Sequence, residues 1–285
     1  MPSTREIRRR IRSVGNTAQI TRAMEMVSAV KMRRAQESVL ASRPFSGRMN
    51  VLLTHLAAHQ PPDESHPLLQ VRSVSRAALL LITSDRGLAG PVNANAIRQG
   101  ASIVVHSDVP VSVISIGRKG RDWMIRRGRD VIAEVSGLTD RPTLLDIAPV
   151  ARVVIDGFSK REFDRVDLVY NQFVTTSTQI VVSEQLLPVE PTTSDRLFTE
   201  YIFEPNPAAV LRALLPRYVE VRIYEAVLEA IASEHSARMI AMHNATQNAQ
   251  DVIQSLTLLY NKTRQASITT EILEIASGAD AVQRG

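Results

Sequence analysis

Arg217-YVEVRIYEAVLEAIASEHSARMIAMHNATQNAQDVIQSLTLLYNKTRQASITTEILEIA-Ser277 runs for 61 residues without a glycine or a proline. Alternating steps of three and four residues pick out Leu228, Ile231, His235, Arg238, Met242, Ala245, Ala249, Val252, Leu256, Leu259, Thr263, Ala266, Thr270 and Leu273. Ten of these fourteen positions are apolar, a heptad seam too long and regular for an ordinary packing helix. At 1.5 Å per residue the helix is roughly 90 Å long, several times the width of a small domain. Such a stripe must be buried against another long helix or inside a partner.

The chain supplies a partner helix at its other end. From about Ser3 to Arg43 the pattern is again helical, with Ser3 or Thr4 as N-cap and Glu6 placed for a capping box. Ile7, Ile11, Val14 and Ala18 follow heptad spacing, and Ile20, Met24 and Val27 restart it one face over, which predicts a stutter. Pro44 is expected to end or bend this helix, with Met49, Leu52, Leu53 and Leu56 forming a shorter continuation up to the loop at Gln60–Asp63.

Between the helices the periodicity changes. Ala77–Thr83, Val111–Gly117 and Val166–Val174 read as strands, the first apolar enough to be buried on both faces, and Ile180–Ser183 as a short fourth. Helical segments near Val92–Val105, Arg118–Arg127 and Thr143–Lys160 alternate with them, implying a mainly parallel, Rossmann-like sheet covered by helices. The expected fold is thus mixed α and β. A long antiparallel coiled coil of the terminal helices (1–60 and 207–285) carries an inserted α/β domain (75–190). The second helix outruns the first, so its apolar, charge-poor tip around Ile272 and Ile275 should project and require a sleeve.

The composition narrows the chemistry. The 285 residues are 44% hydrophobic yet only 4% aromatic, and no cysteine is present, which excludes disulfides and thiolate chemistry. No apolar run approaches a membrane span. Residues 1–34 hold nine Lys or Arg against Glu6 and Glu25, so the basic character belongs to one end and calls for an acidic partner. The same Arg-rich start has the composition of a mitochondrial transit peptide, but the helical pattern continues past any cleavage site.

Thr83–Gly90 follows a buried strand and precedes a helix, where α/β proteins bind phosphates, but it lacks both the G-x-G-x-x-G spacing and a Gly-Lys-Ser/Thr ending. It reads first as a tight turn, as does Gly117–Gly120. The six histidines form no His-Glu-x-x-His or carboxylate cluster, and no nucleophile elbow exists, so no metal, cofactor or catalytic residue is assigned. His235, Arg238, Thr263 and Thr270 read as polar seam positions that fix register. Three classes remain: a mechanical coiled-coil subunit with an α/β knob, a phosphate- or nucleotide-using enzyme with helical extensions, and a nucleic-acid binder. Residues 1–44 contain no aromatic for base stacking, which weakens the last.

Specific runs of residues add to this reading. Arg5–Arg8, Asn16-Thr, Ile20-Thr-Arg-Ala-Met-Glu-Met-Val27 and Lys31-Met at one end resemble the gamma subunits of the rotary F-type ATP synthases. So do Ser233-Glu, Ala237-Arg-Met239, Tyr260–Thr269, Ile268-Thr-Thr-Glu271 and Gly278-Ala at the other, and Ser84–Gly90 with Asn93 in the middle. The resemblance implies a bacterial rotor shaft without catalytic groups of its own. It would stand in a ring of three alpha and three beta subunits, with the α/β knob on the c-subunit ring beside epsilon. Association with the membrane would come through the Fo sector, at its cytoplasmic face, and no nucleic acid would be bound. It further implies that Arg264 and Gln265 catch a loop of one beta subunit and that Met24 faces this contact zone. Arg8, Arg9, Lys31, Arg33 and Arg34 would meet acidic beta surfaces, and Tyr201, Phe203 and Glu204 would lie at the foot near epsilon and the c ring.

Overall fold

A computed structural model describes residues 3–58, 66–190 and 203–284. Helix α1 (Thr4–Ala58) is followed by β1 (Ala77–Ile82), α2 (Val92–His106), β2 (Val111–Ile116), α3 (Arg118–Arg126) and β3 (Val131–Val135). Then come α4 (Leu144–Ser159), β4 (Arg165–Phe173), β5 (Gln179–Leu187) and α5 (Pro207–Arg284). The chain divides into two compact units: Ser28–Arg238, which holds the sheet, and Met1–Val27 with Met239–Gly285, whose described residues from Thr4 on are all helical.

In the sheet unit the strand order is β3-β2-β1-β4-β5. The first four strands are mutually parallel and β5 runs antiparallel to β4. Every residue of β1 is buried, as its unbroken apolar run requires of a central parallel strand. Leu79 and Leu81 point to one face with Val113, Val169, Ala96 and Met124, under α2 and α3. Leu80 and Ile82 point to the other, with Ile114, Leu168 and Phe158 of α4. That second core also takes Leu53 and Leu56 from α1 and Leu211, Leu215, Val219, Ile223 and Val227 from α5. At about 1.5–3 kcal/mol for each large side chain removed from water, the helices are integral to this core.

The expected mixed architecture is present, with differences of detail. β3 (VIAEV) was not anticipated: five residues alternating between half-buried and exposed on a sheet edge give little apolar signal. β5 is nine residues long where four were expected, because the polar pair Glu184 and Gln185 interrupts the apolar run while the ladder continues through it to Leu187. Pro44 does not end α1. It lies on the exposed face, where water can take up the carbonyl its ring leaves without a donor, and the hydroxyls of Ser42 and Ser46 donate to Val39 O (2.9 Å) and Arg43 O (3.0 Å) around it.

Nor does α1 contain a stutter. Its inward positions keep one phase, Ile7, Ile11, Val14, Ala18, Thr21, Glu25 and then Ser28, Met32, Ala35, Val39, Ser42, Ser46, Met49, Leu53, Leu56. Ile20 and Val27 are 60% and 54% exposed. The four inward places taken by hydroxyl residues (Thr21, Ser28, Ser42 and Ser46), with Glu25, conceal the continuity from an apolar count.

In the helical unit, Arg8 bonds Tyr260, Thr21 bonds Thr246 and Glu25 bonds His243, so the paired segments are antiparallel. The α5 seam there is Met242, Thr246, Ala249, Ile253, Leu256, Tyr260 and Thr263. Val252 and Leu259, expected in the seam, lie on its exposed flank, displaced by one residue because Thr246 rather than Ala245 is the buried member.

Candidate functional site

Two regions collect the residues singled out above: the carboxyl ends of β1 and β2, where α5 crosses the sheet unit, and the far end of α5.

At the first, the crevice that an open α/β sheet offers to nucleotides is already filled. Val227, Ala230, Ile231 and Glu234 of α5 close over Ile82, Thr83, Ser84, Asn93 and Asn171, leaving a cavity of about 30 Å³. That holds a water molecule, an order of magnitude less than a ligand site of about 300 Å³ or more. The loop after β1 is knitted to itself: Asn93 Oδ1 accepts from Ser84 N–H (2.9 Å), and Ser84 Oγ donates to Arg86 O (2.6 Å). The first amide of α3, where a phosphate would sit, instead donates to the chain's own Asp85 (Arg118 N–H, 2.9 Å), whose other oxygen accepts from Gly137 N–H (2.6 Å). The turn reading of both loops therefore holds, and the phosphate-enzyme alternative loses the pocket at this crevice.

His235 and Arg238, expected as register positions of a two-helix seam, point into the sheet unit. His235 Nε2 lies 3.0 Å from Asp140 Oδ1, and Asp140 Oδ2 lies 2.7 Å from Lys31 Nζ. Arg238 pairs with Glu234, reaches Gly87 O at 3.3 Å and lies 3.4 Å from His235 Nδ1. A neutral imidazole protonated at Nε2 satisfies both neighbours, accepting from Arg238 and donating to Asp140. Asp140 went unnoticed in the sequence because it sits in an aperiodic loop, Gly137–Pro142, with no pattern to place it beside α1 and α5. Burial works against its charge, but the Lys31 bond and the neighbouring His235 hold its carboxyl below the usual range.

Burial lowers the pKa of His235 below its ordinary 6.5, against the opposing pull of Glu234 and Asp140. The folded chain therefore prefers the neutral ring. The associated stability is complete above about pH 6.5 and drains away as pH falls below it, until the folded ring is protonated too. Between pH 7.5 and 5.5 the melting temperature should fall by a few degrees more for the native chain than for His235→Gln; equal slopes would show that another group governs this range.

Other sheet–helix bonds are equally directional. Glu229, 8% exposed, accepts from Phe173 N–H (2.9 Å) and Arg43 (3.1 Å). Arg222 bonds Glu184 of β5 (2.6 Å), and Ser233 Oγ donates to Asn171 O (3.0 Å).

At the far end of α5, every residue from 264 to 279 is exposed. Arg264 and Gln265 stand at its start, and Ile268, Ile272, Leu273 and Ile275 are 46%, 59%, 60% and 66% exposed. Arg8 pairs with Tyr260 near Thr4, the first residue of α1, so α1 offers this stretch little to pack on. Met24 is half-buried.

The basic set divides. Arg9, Arg33 and Arg34 are exposed with no ion pair among the described residues, whereas Arg8 donates to Tyr260 Oη (2.7 Å) and Lys31 is taken by Asp140. Of the foot residues, Phe203 packs against the sheet core, Glu204 is exposed, and Tyr201 lies outside the described residues. No helix among the described residues is long and apolar enough to cross a membrane.

Comparison with known proteins accounts for a sheet fused to such a helix. A family model described as ATP synthase matches residues 3–282. The ATP synthase gamma chain of Roseiflexus castenholzii is 52% identical, with 99% of each chain covered. That of Dehalococcoides mccartyi is 50% identical over 99% of this chain and all of its own. Among solved structures, the central stalk of the Tetrahymena thermophila mitochondrial ATP synthase superposes with a TM-score of 0.63 at 25% identity, over 79% of this chain and 99% of the other. With near-complete coverage on both sides, and a nucleotide crevice plugged by its own helix, the chain belongs to the ATP synthase gamma chain family.

Proposed function

We propose that the chain is the central rotor shaft of an F-type ATP synthase, coupling rotation of a c-subunit ring to ATP synthesis or hydrolysis at sites on alpha and beta subunits. The observation that carries this reading is the bare end of α5: from residue 264 to 279 a helix with four exposed large aliphatic side chains. Apolar surface of that kind, interrupted by charge only at Arg264, Glu271 and Glu274, suits a sleeve in which it can turn with few directional bonds to hold it at one angle. The sheet unit serves as the foot, on the c ring and beside epsilon, at the cytoplasmic face of a bacterial membrane and peripheral to it. The shaft contributes asymmetry and stiffness: its orientation favours a different conformation in each beta subunit, making three otherwise equal sites unequal. The nucleotide chemistry belongs to the partners.

Arg264 and Gln265 are the residues proposed to catch a beta-subunit loop, with Met24 facing the same zone. Ile272 and Ile275 lie in the sleeve. Arg9, Arg33 and Arg34, which have no ion pair among the described residues, are better placed than Arg8 and Lys31 to meet acidic beta surfaces. Phe203 and Glu204 belong to the foot.

The test is co-expression with alpha and beta subunits of the same organism, then size exclusion and ATPase assay. One copy of this chain per three alpha–beta pairs, with no ATPase from the chain alone, supports the shaft; a monomer that ignores them and binds nucleotide overturns it. In the assembled enzyme, Arg264→Ala with Gln265→Ala should weaken coupling or assembly, while the melting temperature of the isolated chain stays within about a degree, both side chains being exposed. Normal ATP synthesis by the double variant would remove them from the contact.

A further inference from the structure

Most of what holds α5 to the sheet unit is apolar: Leu211, Leu215, Val219, Ile223 and Val227 lie in the core beneath the sheet. Burial of this stripe sets which face of α5 turns inward, and because apolar contacts are non-directional the finer angle at which the helices stand is fixed by directional bonds. Near the carboxyl ends of the strands one carboxylate of the sheet gathers two of them. Asp140, in the loop between β3 and α4, uses its two oxygens on two different helices, Oδ2 on Lys31 of α1 at 2.7 Å and Oδ1 on His235 of α5 at 3.0 Å. His235 is 3% exposed and is backed by Arg238, which is itself held by Glu234 and by the carbonyl of Gly87 in the loop after β1.

Resting on the shaft reading, we propose that Asp140 is a positioning residue for torque transfer. It keys the sheet to the segments of α1 and α5 that pack on it, so that a turn of one turns the others. Arg222–Glu184 joins only two elements, whereas Glu229 of α5 also gathers three, accepting from Arg43 of α1 and from the Phe173 amide of β4. Asp140 differs from Glu229 in belonging to the sheet's own loops and in holding both helices through their side chains. Its side chain is 49% exposed and that of Lys31 34%, so salt reaches the pair and weakens it.

The test uses the assembled alpha–beta complex. The chain has no cysteine, so Leu145→Cys on α4, at a side chain 83% exposed, provides a single attachment point for a bead on the sheet unit. With the alpha–beta ring immobilised and rotation arrested, the angular fluctuation of the bead reports twist between sheet and ring. Asp140→Ala should raise the angular variance about twofold, with ATPase kept within about twofold of the parent. Lys31→Ala should give an intermediate value, and Asp140→Glu should recover part of the loss.

An unchanged variance in Asp140→Ala, with only its melting temperature lowered, would overturn the proposal and leave the residue a merely stabilising one. Should Asp140→Ala fail to assemble, Asp140→Asn and added salt give the same answer. Raising KCl should widen the fluctuation of the parent but not of Asp140→Asn, and an equal response in both would overturn the proposal. A parent chain that does not join the ring at all would instead refute the shaft reading on which this rests.

Discussion

Gly117→Ala is expected to cost the chain about 4 kcal/mol or more, among the largest losses a single methyl group can cause. Gly117 has φ +93°, and a Cβ built there would lie 2.0 Å from the carbonyl oxygen of Thr83 and 2.7 Å from its carbon. Neither atom is a flexible side-chain end; both belong to the backbone leaving β1. The strand ends cannot simply part, because Thr83 N–H donates to Ile116 O (2.8 Å) and Gly117 N–H to Val135 O (2.8 Å). Relief of the clash must therefore break the ladder or displace α3, whose Gly120 N–H is bonded to Thr83 Oγ1 (2.8 Å). The melting temperature should fall by roughly 8–16 °C for a unit of this size. Gly128→Ala is the control: φ is +67° but nothing lies within 4 Å, so only the backbone conformation is penalised, by about 1–3 kcal/mol. Equal losses in the two variants would show that the contact with Thr83 is not what matters.

Glu229→Ala should cost about 3 kcal/mol, the second largest effect. Its carboxylate satisfies the amide of Phe173 at the end of β4, and Phe173 is itself 6% exposed, so truncation leaves a donor away from water without an acceptor. The Arg43 half of the interaction matters less, because that guanidinium is 52% exposed and returns to solvent when its partner is lost. Arg43→Ala should therefore cost under about 1 kcal/mol, and Glu229→Gln, which can still accept from Phe173, about half of the alanine loss. Thermal melts of the three variants decide the matter: equal effects for Arg43→Ala and Glu229→Ala would move the weight from the amide to the ion pair.

Both effects depend on residues whose importance is invisible along the chain, and this marks how far the sequence could be read. Period and length carried the two terminal helices, the central strands β1, β2 and β4, and helices α2 to α4, since each buries a stripe or face that its pattern announces. What escaped was decided by partners distant in sequence. β3 is an edge strand whose half-buried residues look polar on average; Pro44 is accommodated because its side of α1 faces water; Thr21 and Ser28 hold a seam with hydroxyls where an apolar count sees a gap.

The site divides along the same line. The exposed tip at Ile272 and Ile275 was legible because an apolar, charge-poor helix end is local information. Asp140 was not, since its two partners lie 109 and 95 positions away. Reading His235 and Arg238 by heptad position placed them correctly on the inner side of α5 but assigned them the wrong neighbour.

The core shared between β1, β4, α4, α1 and residues 211–227 of α5 also governs the order in which the chain can fold as it is made. Everything through β5 has been synthesised while the core on the face of Leu80, Ile82, Ile114 and Leu168 still lacks the part of its cover that α5 supplies. No local rearrangement can supply it, because the missing wall is encoded in the last third of the protein. At roughly 5–20 residues per second, the stretch from Pro207 to Val227 takes on the order of 1–4 s to synthesise. Until it arrives the nascent sheet presents a greasy surface to solvent, and its closure must wait for contacts of long sequence separation, the slow kind. The core that residues 211–227 complete in the finished molecule therefore makes the unfinished one a client for chaperones.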